Sequence, residues 1–368
     1  MAASLLLVTL AGCTGTEEES IPIILVVGSV EPAGPQLQLY EDVRDPMAAP
    51  ARDLAPVGAP LRLPDAPVSL DVVDRNGERS ELVVLDESGA LHFVDISDLP
   101  VSFALLRSID VAALIPSDPL NPALCWQQVQ IGGGASEPGR YAALLESCPD
   151  EPPEVYVVDL VSQELEYALT QEHVGTQLLP IGIYVDQRSD LLYFAADEIG
   201  EVEVQSLPLT GAVEPEPLGE TPVDPPEAVD LSPIAGGIGV LAEDGALGIV
   251  PYEGDPLAPA DLGLSEASML LPDPSSNVEL LAAFSETRGR LVEGLDDIEF
   301  EELFLRRPLV DATLEPVQRF AYLLEEGGVE ILDLFPYADP PSNRLLFFDL
   351  PGLDEPRVIT WAFGTRLP

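Results

Sequence analysis

The sequence predicts an all-β chain in which about seven four-stranded blades close into a β-propeller, behind a short N-terminal export segment and tether. Three observations predict it. Short runs of Val, Leu, Ile, Phe and Tyr, cut off by Gly-, Pro- and Asp-rich turns, dominate the chain. Its 38 prolines leave little room for long helices. Finally, one turn pattern returns at intervals of about one blade, and a four-stranded blade takes roughly 40 to 50 residues.

Residues 1–12 read as an export signal. The apolar run Leu5 to Leu10 is too short to cross a bilayer and ends in Leu10-Ala11-Gly12-Cys13, small residues before a cysteine that can be acylated. This resembles the lipobox of bacterial lipoproteins at all four positions, although Met1-Ala2-Ala3-Ser4 carries none of the basic residues usual at the start of a signal. The resemblance implies a lipid on Cys13 that holds the protein at a membrane surface. Residues 13–20, with Glu17, Glu18 and Glu19 in a row, then form a solvated acidic tether. Thr14, where an Asp would retain the protein at the inner membrane, is similar to lipoproteins passed on to the outer membrane of a diderm bacterium.

The propeller domain is expected over residues 21–368. Strand candidates include Ile23 to Val27, Glu81 to Leu85, Ala90 to Ile96, Tyr141 to Leu145, Glu154 to Leu160, Leu191 to Ala195, Val278 to Phe284 and Phe320 to Leu324. The repeat is E-x-G-x-[LV]-x-[FVI], an acidic-plus-glycine turn followed by a strand with alternating apolar positions. It occurs at Glu87 to Phe93, Glu198 to Val204, Glu243 to Ile249 and Glu325 to Ile331. Weaker copies begin at Gly34, near Pro153 and at Gly289, so successive turns lie 38 to 64 residues apart. A unit this small cannot bury both faces alone, and stacking around a ring completes its core. Val358 to Phe363 lies apart from the last unit and is free to pair with the N-terminal unit, closing the ring. Val155-Tyr156-Val157-Val158-Asp159-Leu160, and Leu82 to Leu85 with Phe93-Val94-Asp95-Ile96, resemble blades of YVTN-type surface-layer propellers over about half the chain. The principal alternative is a multi-sheet β-sandwich.

Against 65 acidic residues stand 16 arginines and no lysine, for a net charge of −49. Such a surface repels phosphate backbones, so nucleic acid is excluded as a partner, and docking on anionic headgroups with it. Cys125 and Cys148 remain once Cys13 is lipidated, and an even pair in an oxidising compartment predicts a disulfide.

Candidate chemistry is sparse. Asp74-Arg75-Asn76-Gly77-Glu78, followed by Glu81, resembles the calcium loops of integrin-type propeller repeats, where alternate oxygens wrap a hard cation. Asn76-Gly77 equally spells a two-residue hairpin turn, which is the stronger reading, and calcium is the one cofactor left open. Gly237 to Ala242 fits a dinucleotide-binding string but runs into a turn and another strand, so it reads as a strand. Gly132-Gly133-Gly134 reads as a loop between strands. His92 alternates with Leu91 and Phe93 and reads as a packed residue; His173 lies in a polar stretch. No nucleophile elbow and no Cys/His pair is legible. The expected function is a non-catalytic, lipid-anchored binding or scaffold protein of the cell envelope with an envelope protein as partner. The alternatives are a propeller hydrolase, lactonase or quinone-dependent dehydrogenase, and a subunit of the machinery that assembles outer-membrane barrels.

Overall fold

The computed structural model describes residues 22–44, 52–75, 78–115, 124–133, 137–149, 151–171, 177–186, 189–211, 214–234, 236–254, 257–272, 280–293, 299–315, 319–334, 345–350 and 353–364. They form seven four-stranded antiparallel sheets in a ring, a seven-bladed β-propeller. Blade 1 contributes β1 (Ile23–Glu31), β2 (Gly34–Arg44) and β3 (Arg52–Arg62) from the N-terminal side. Blade 2 is β4 (Pro67–Arg75), β5 (Glu78–Asp86), β6 (Ala90–Asp95) and β7 (Ala104–Asp110); blade 3 is β8 (Trp126–Gly132), β9 (Tyr141–Glu146), β10 (Glu154–Asp159) and β11 (Glu164–Leu169). Blade 4 is β12 (Gln177–Asp186), β13 (Leu191–Glu198), β14 (Glu201–Pro208) and β15 (Glu216–Thr221); blade 5 is β16 (Ala228–Ile234), β17 (Gly237–Ala242), β18 (Ala246–Pro251) and β19 (Leu257–Asp261). Blade 6 is β20 (Met269–Pro272), β21 (Leu280–Ser285), β22 (Arg288–Glu293) and β23 (Glu299–Phe304); blade 7 is β24 (Leu309–Glu315), β25 (Phe320–Glu325), β26 (Gly328–Asp333) and β27 (Leu345–Asp349).

The last strand, β28 (Glu355–Phe363), is the inner strand of blade 1 and pairs antiparallel with β1, with Ile23 opposite Phe363 and Gly28 opposite Val358. Opposite ends of the chain thus close the ring, as the isolated apolar run at Val358 to Phe363 predicts. All seven turns singled out in the sequence join the second and third strands of successive blades. At one of them, Gly89 has φ +83°, and a Cβ there would lie 2.3 Å from Nε1 of Trp126 in the next blade, so the turn and the inter-blade contact both demand glycine.

Apolar side chains form seven core clusters, one between each adjacent pair of blades. Val83, Leu85 and Phe93 of blade 2 meet Val129 and Leu144 of blade 3, for example, and Leu25 and Tyr40 of blade 1 meet Tyr322 and Leu324 of blade 7. Each blade therefore buries both faces, which is why β9 (YAALLE) and β17 (GIGVLA) are buried at every position rather than at alternate ones, and apolar throughout except for Glu146 at the end of β9. The glycine-rich string at Gly237 is thus a buried central strand, as read. Gly132 ends β8, and Gly133 at φ +138° begins the loop.

Candidate functional site

The seven inner strands neighbour one another around a central channel. Six of them, β20 excepted, meet their second strand through a register shift. Each inner strand is also the edge of its sheet, so N–H groups on its open side have no ladder partner and must be satisfied elsewhere. Here the satisfaction is cross-blade and repetitive. Ser69, Gln128, Asp230 and Asp311 are the residues where pairing resumes after the shift, and each accepts a backbone N–H from the inner strand of the following blade. Val129 N–H reaches Ser69 Oγ at 3.2 Å, Ile183 N–H reaches Gln128 Oε1 at 2.9 Å, Leu270 N–H reaches Asp230 Oδ2 at 2.6 Å, and Ile359 N–H reaches Asp311 Oδ2 at 2.8 Å. Asp71 adds a rung, accepting Ile131 N–H at 2.6 Å.

Between blades 7, 1, 2 and 3 the channel widens into a cavity of about 540 Å³. Its wall comes from Val68 to Val72, Gln127, Gln128, Gln130, Val310 to Thr313 and Arg357 to Thr360, which lie around the middles of β4, β8, β24 and β28. The cavity therefore lies within the channel, midway along the inner strands. Arg79 enters it from β5, donating Nη1–H to the Trp361 carbonyl at 2.5 Å with its guanidinium 3.5 Å over the Trp361 ring. Burial pushes Asp71 up to about 6 and Asp311 up to about 7, against the N–H groups that lower both; Asp230, on the same ring, is pushed up to about 7. The wall thus offers guanidinium and amide donors beside carboxyls that titrate near neutrality. It suits a polar small molecule or an inserted polar side chain. Nothing in the sequence predicts it, although Val229-Asp230 and Val310-Asp311, each an acid entering an apolar inner strand, are a signal that could have found the staples.

His92 is 2% exposed, as expected of a packed residue, but it is not merely packed. Its Nε2 lies 2.7 Å from Asp86 Oδ2, and its Nδ1 lies 2.7 Å from Oγ of Ser108 on the outer strand. Asp86 is fully buried and also accepts Ser88 N–H, Ser88 Oγ–H and Ala90 N–H. These hydrogen bonds outweigh desolvation and lower its pKa. A serine, a histidine and a buried carboxylate therefore stand in line, which sequence reading missed because Ser108 joins His92 only through the β6–β7 register. His173 lies outside the described residues.

Cys125 and Cys148 form the predicted disulfide, with Cα atoms 4.9 Å apart. It ties the segment before β8 to the β9–β10 connection. The two cysteines and Glu146 have ligand-capable atoms within 4.8 Å of one another, the one such His/Cys/Asp/Glu group among the described residues. Of the calcium candidates, Asp74 pairs with Arg79 and Arg75 with Glu78, so Asn76 and Gly77, which lie outside the described residues, connect β4 to β5. Glu81 sits within β5 and has Arg107 at 3.9 Å.

No known family's sequence profile matches the chain, and no curated protein matches it. Among solved structures it is similar to the crystal structure of a functionally unknown protein from Desulfotomaculum acetoxidans DSM 771, with a TM-score of 0.59 and 9% identity over 94% of this chain and 100% of that one. A likeness at that identity concerns the fold alone.

Proposed function

We propose that this chain is a lipid-tethered protein of the cell envelope that binds a partner through the cavity in its central channel and catalyses nothing. One observation carries the reading. The central channel holds a cavity lined by Arg79, Gln127, Gln130 and Thr313 beside the inter-blade carboxyls, a polar wall suited to holding a polar group. Its carboxyls are already occupied by inter-blade N–H groups, which suits holding a ligand better than transforming one.

The test uses the full chain in native membranes. Wild type should take up a fatty-acid analogue and Cys13→Ala should not. Reciprocal affinity capture should recover one defined partner with wild type and lose it with Gln127→Trp, which fills the cavity from an exposed position. Equal labelling of wild type and Cys13→Ala would remove the anchor from the proposal, and partner recovery indifferent to Gln127→Trp would remove the cavity from it.

The Asp86–His92–Ser108 line favours a second reading, a hydrolase with Ser108 as nucleophile, His92 as base and Asp86 as orienting carboxylate. A fluorophosphonate probe decides between the two. Labelling of Ser108 in folded wild type, absent from Ser108→Ala and from heat-denatured protein, supports the hydrolase; no labelling leaves the triad a structural tie between turn and outer strand.

A further inference from the structure

We infer that the Cys125–Cys148 disulfide covers a latent site for zinc or a dication of similar ligand preference, which the two thiolates and Glu146 form when the bond is reduced. The scaffold that places the sulfurs does not depend on the bond between them. Trp126 pairs with Glu146 in the β8–β9 ladder, and Ser147 N–H donates to the Cys125 carbonyl at 2.9 Å, so backbone hydrogen bonds hold the two cysteines side by side. With the Cα atoms 4.9 Å apart, side-chain rotation alone can open the sulfurs to the roughly 3.8 Å that two thiolates take around a tetrahedral zinc with Zn–S near 2.3 Å.

Glu146 supplies the third ligand and the reason to expect a cation. Its side chain belongs to a residue only 4% exposed, and it accepts the Cys125 N–H at 3.0 Å, which aims it at the cysteines. Burial pushes its carboxyl up, and Glu154 and Glu151 nearby push it further. Among the described residues no arginine forms an ion pair with it. Once the bond is reduced, two thiolates beside this buried carboxylate make a negative cluster that a dication compensates. Three protein ligands leave the fourth tetrahedral position to water.

The redox step balances with an external thiol reductant. Two equivalents of thiol deliver two electrons and two protons, breaking the Cys125–Cys148 bond and leaving two Cys thiols and one external disulfide. Metal binding then releases both thiol protons, and the carboxyl proton where Glu146 carries one. An external disulfide reverses the sequence: it accepts two electrons from the thiolates and two protons from solvent to give two external thiols, the Cys125–Cys148 bond re-forms and the metal is released, which makes the bond a redox-controlled cover over the site.

Cobalt(II), a spectroscopic stand-in for zinc, tests this on the full chain in detergent, reduced with a phosphine. The reduced wild type should bind one cobalt with a thiolate-to-cobalt charge-transfer band that zinc abolishes, while the oxidised protein shows none. Cys148→Ser should lose most of the band. Glu146→Gln should keep a thiolate band but bind more weakly by at least the roughly tenfold that loss of an outer-shell partner costs. Far-UV circular dichroism of the reduced, metal-free chain should retain the β signal, since the ladder must survive for the site to exist. Absence of the band in reduced wild type, an affinity unchanged by Glu146→Gln, or loss of the β signal on reduction would each overturn the proposal.

Discussion

Two buried carboxylates in neighbouring blades have opposite electrostatic fates, and the difference lies in what stands across the strand. Asp42, at the end of β2, accepts Arg52 Nε–H at 2.8 Å and Arg52 Nη2–H at 2.5 Å, Arg44 Nη2–H at 2.6 Å, and the Tyr322 hydroxyl at 2.9 Å. Both guanidiniums lie over the Phe320 ring, at 4.2 and 4.3 Å. Burial alone would raise this acid, but the hydrogen bonds and charges of Arg52 and Arg44 outweigh it, and its pKa falls. Glu325, at the end of β25, is 0% exposed and faces Glu330. Burial and the second carboxyl push it up to about 8, and Arg307 offsets this only in part. In a chain with 16 arginines for 65 acids, cations are scarce, and two of them stand at the seam between blades 7 and 1.

The largest effect should come from breaking the Asp42 cluster. Asp42→Ala leaves two half-buried guanidiniums without their counter-ion, which costs at most the roughly 3–5 kcal/mol of breaking a fully buried pair. Denaturant unfolding should show that loss at pH 7, whereas Glu325→Ala should cost less because it also removes a carboxyl that must take up a proton to be buried at that pH. Equal losses would break the comparison. Tyr322→Phe comes next. It removes one hydroxyl-to-carboxylate bond while leaving the ring packed, for about 1.5–3 kcal/mol by the same measurement. A neutral result would mean that the arginines alone hold Asp42.

Much of this fold is legible in the sequence, and the reason is local. The turn between second and third strands needs an acid and a glycine within a few residues, so Glu87 to Gly89 and Glu243 to Gly245 announce themselves wherever a blade is. The closing strand is legible because Val358 to Phe363 has no partner of its own. Cysteine parity gives the disulfide. What stays hidden depends on register between distant segments. Asp311 meets Ile359, and Asp71 meets Ile131, only after the ring has closed. Arg79 enters the cavity because β5 carries it to Trp361, whose strand comes from the far end of the chain. Asp86 and His92 are six residues apart, close enough to suspect, but Ser108 is not. The candidate site was therefore almost wholly invisible, while the ring that carries it was not.

The third effect is smaller and reverses sign. Glu325 has a folded pKa of about 8 against an ordinary value of 4.5, so the stability linked to its neutral form is complete below about pH 4.5 and is lost as pH rises toward 8. Asp71, Asp230 and Asp311, raised to about 6, 7 and 7, act in the same direction over a narrower window. Asp42 and Asp86, both lowered, contribute stability above the ordinary carboxylate range that is lost only as pH falls through their depressed values. The melting temperature of wild type should accordingly rise as pH is brought from 8 toward 5, then fall in stronger acid. Glu325→Gln should match wild type near pH 5 and exceed it at pH 9, where the buried carboxylate is charged in the wild type and absent from the variant. A variant that gains nothing at pH 9 would show that Glu325 is solvated.

Salt gives the smallest effect and the sharpest control on that reasoning. At a net charge of −49 the folded ring repels itself, and the repulsion acts mainly between exposed carboxylates. Raising ionic strength shortens the Debye length from about 10 Å at 0.1 M to about 3 Å at 1 M, so the melting temperature of every variant should climb with NaCl at pH 7. Exposed pairs oppose this weakly: Arg357 with Glu87 at 3.8 Å and with Glu355 at 3.7 Å would loosen, but such contacts contribute about 0–1 kcal/mol each. Buried groups are screened far less. The gap between wild type and Asp42→Ala, and the pH 9 gap between wild type and Glu325→Gln, should therefore stay nearly constant along the same salt series while the common baseline moves. If salt instead closes either gap, that carboxyl is in contact with solvent, and the contrast between the two blades reduces to surface electrostatics.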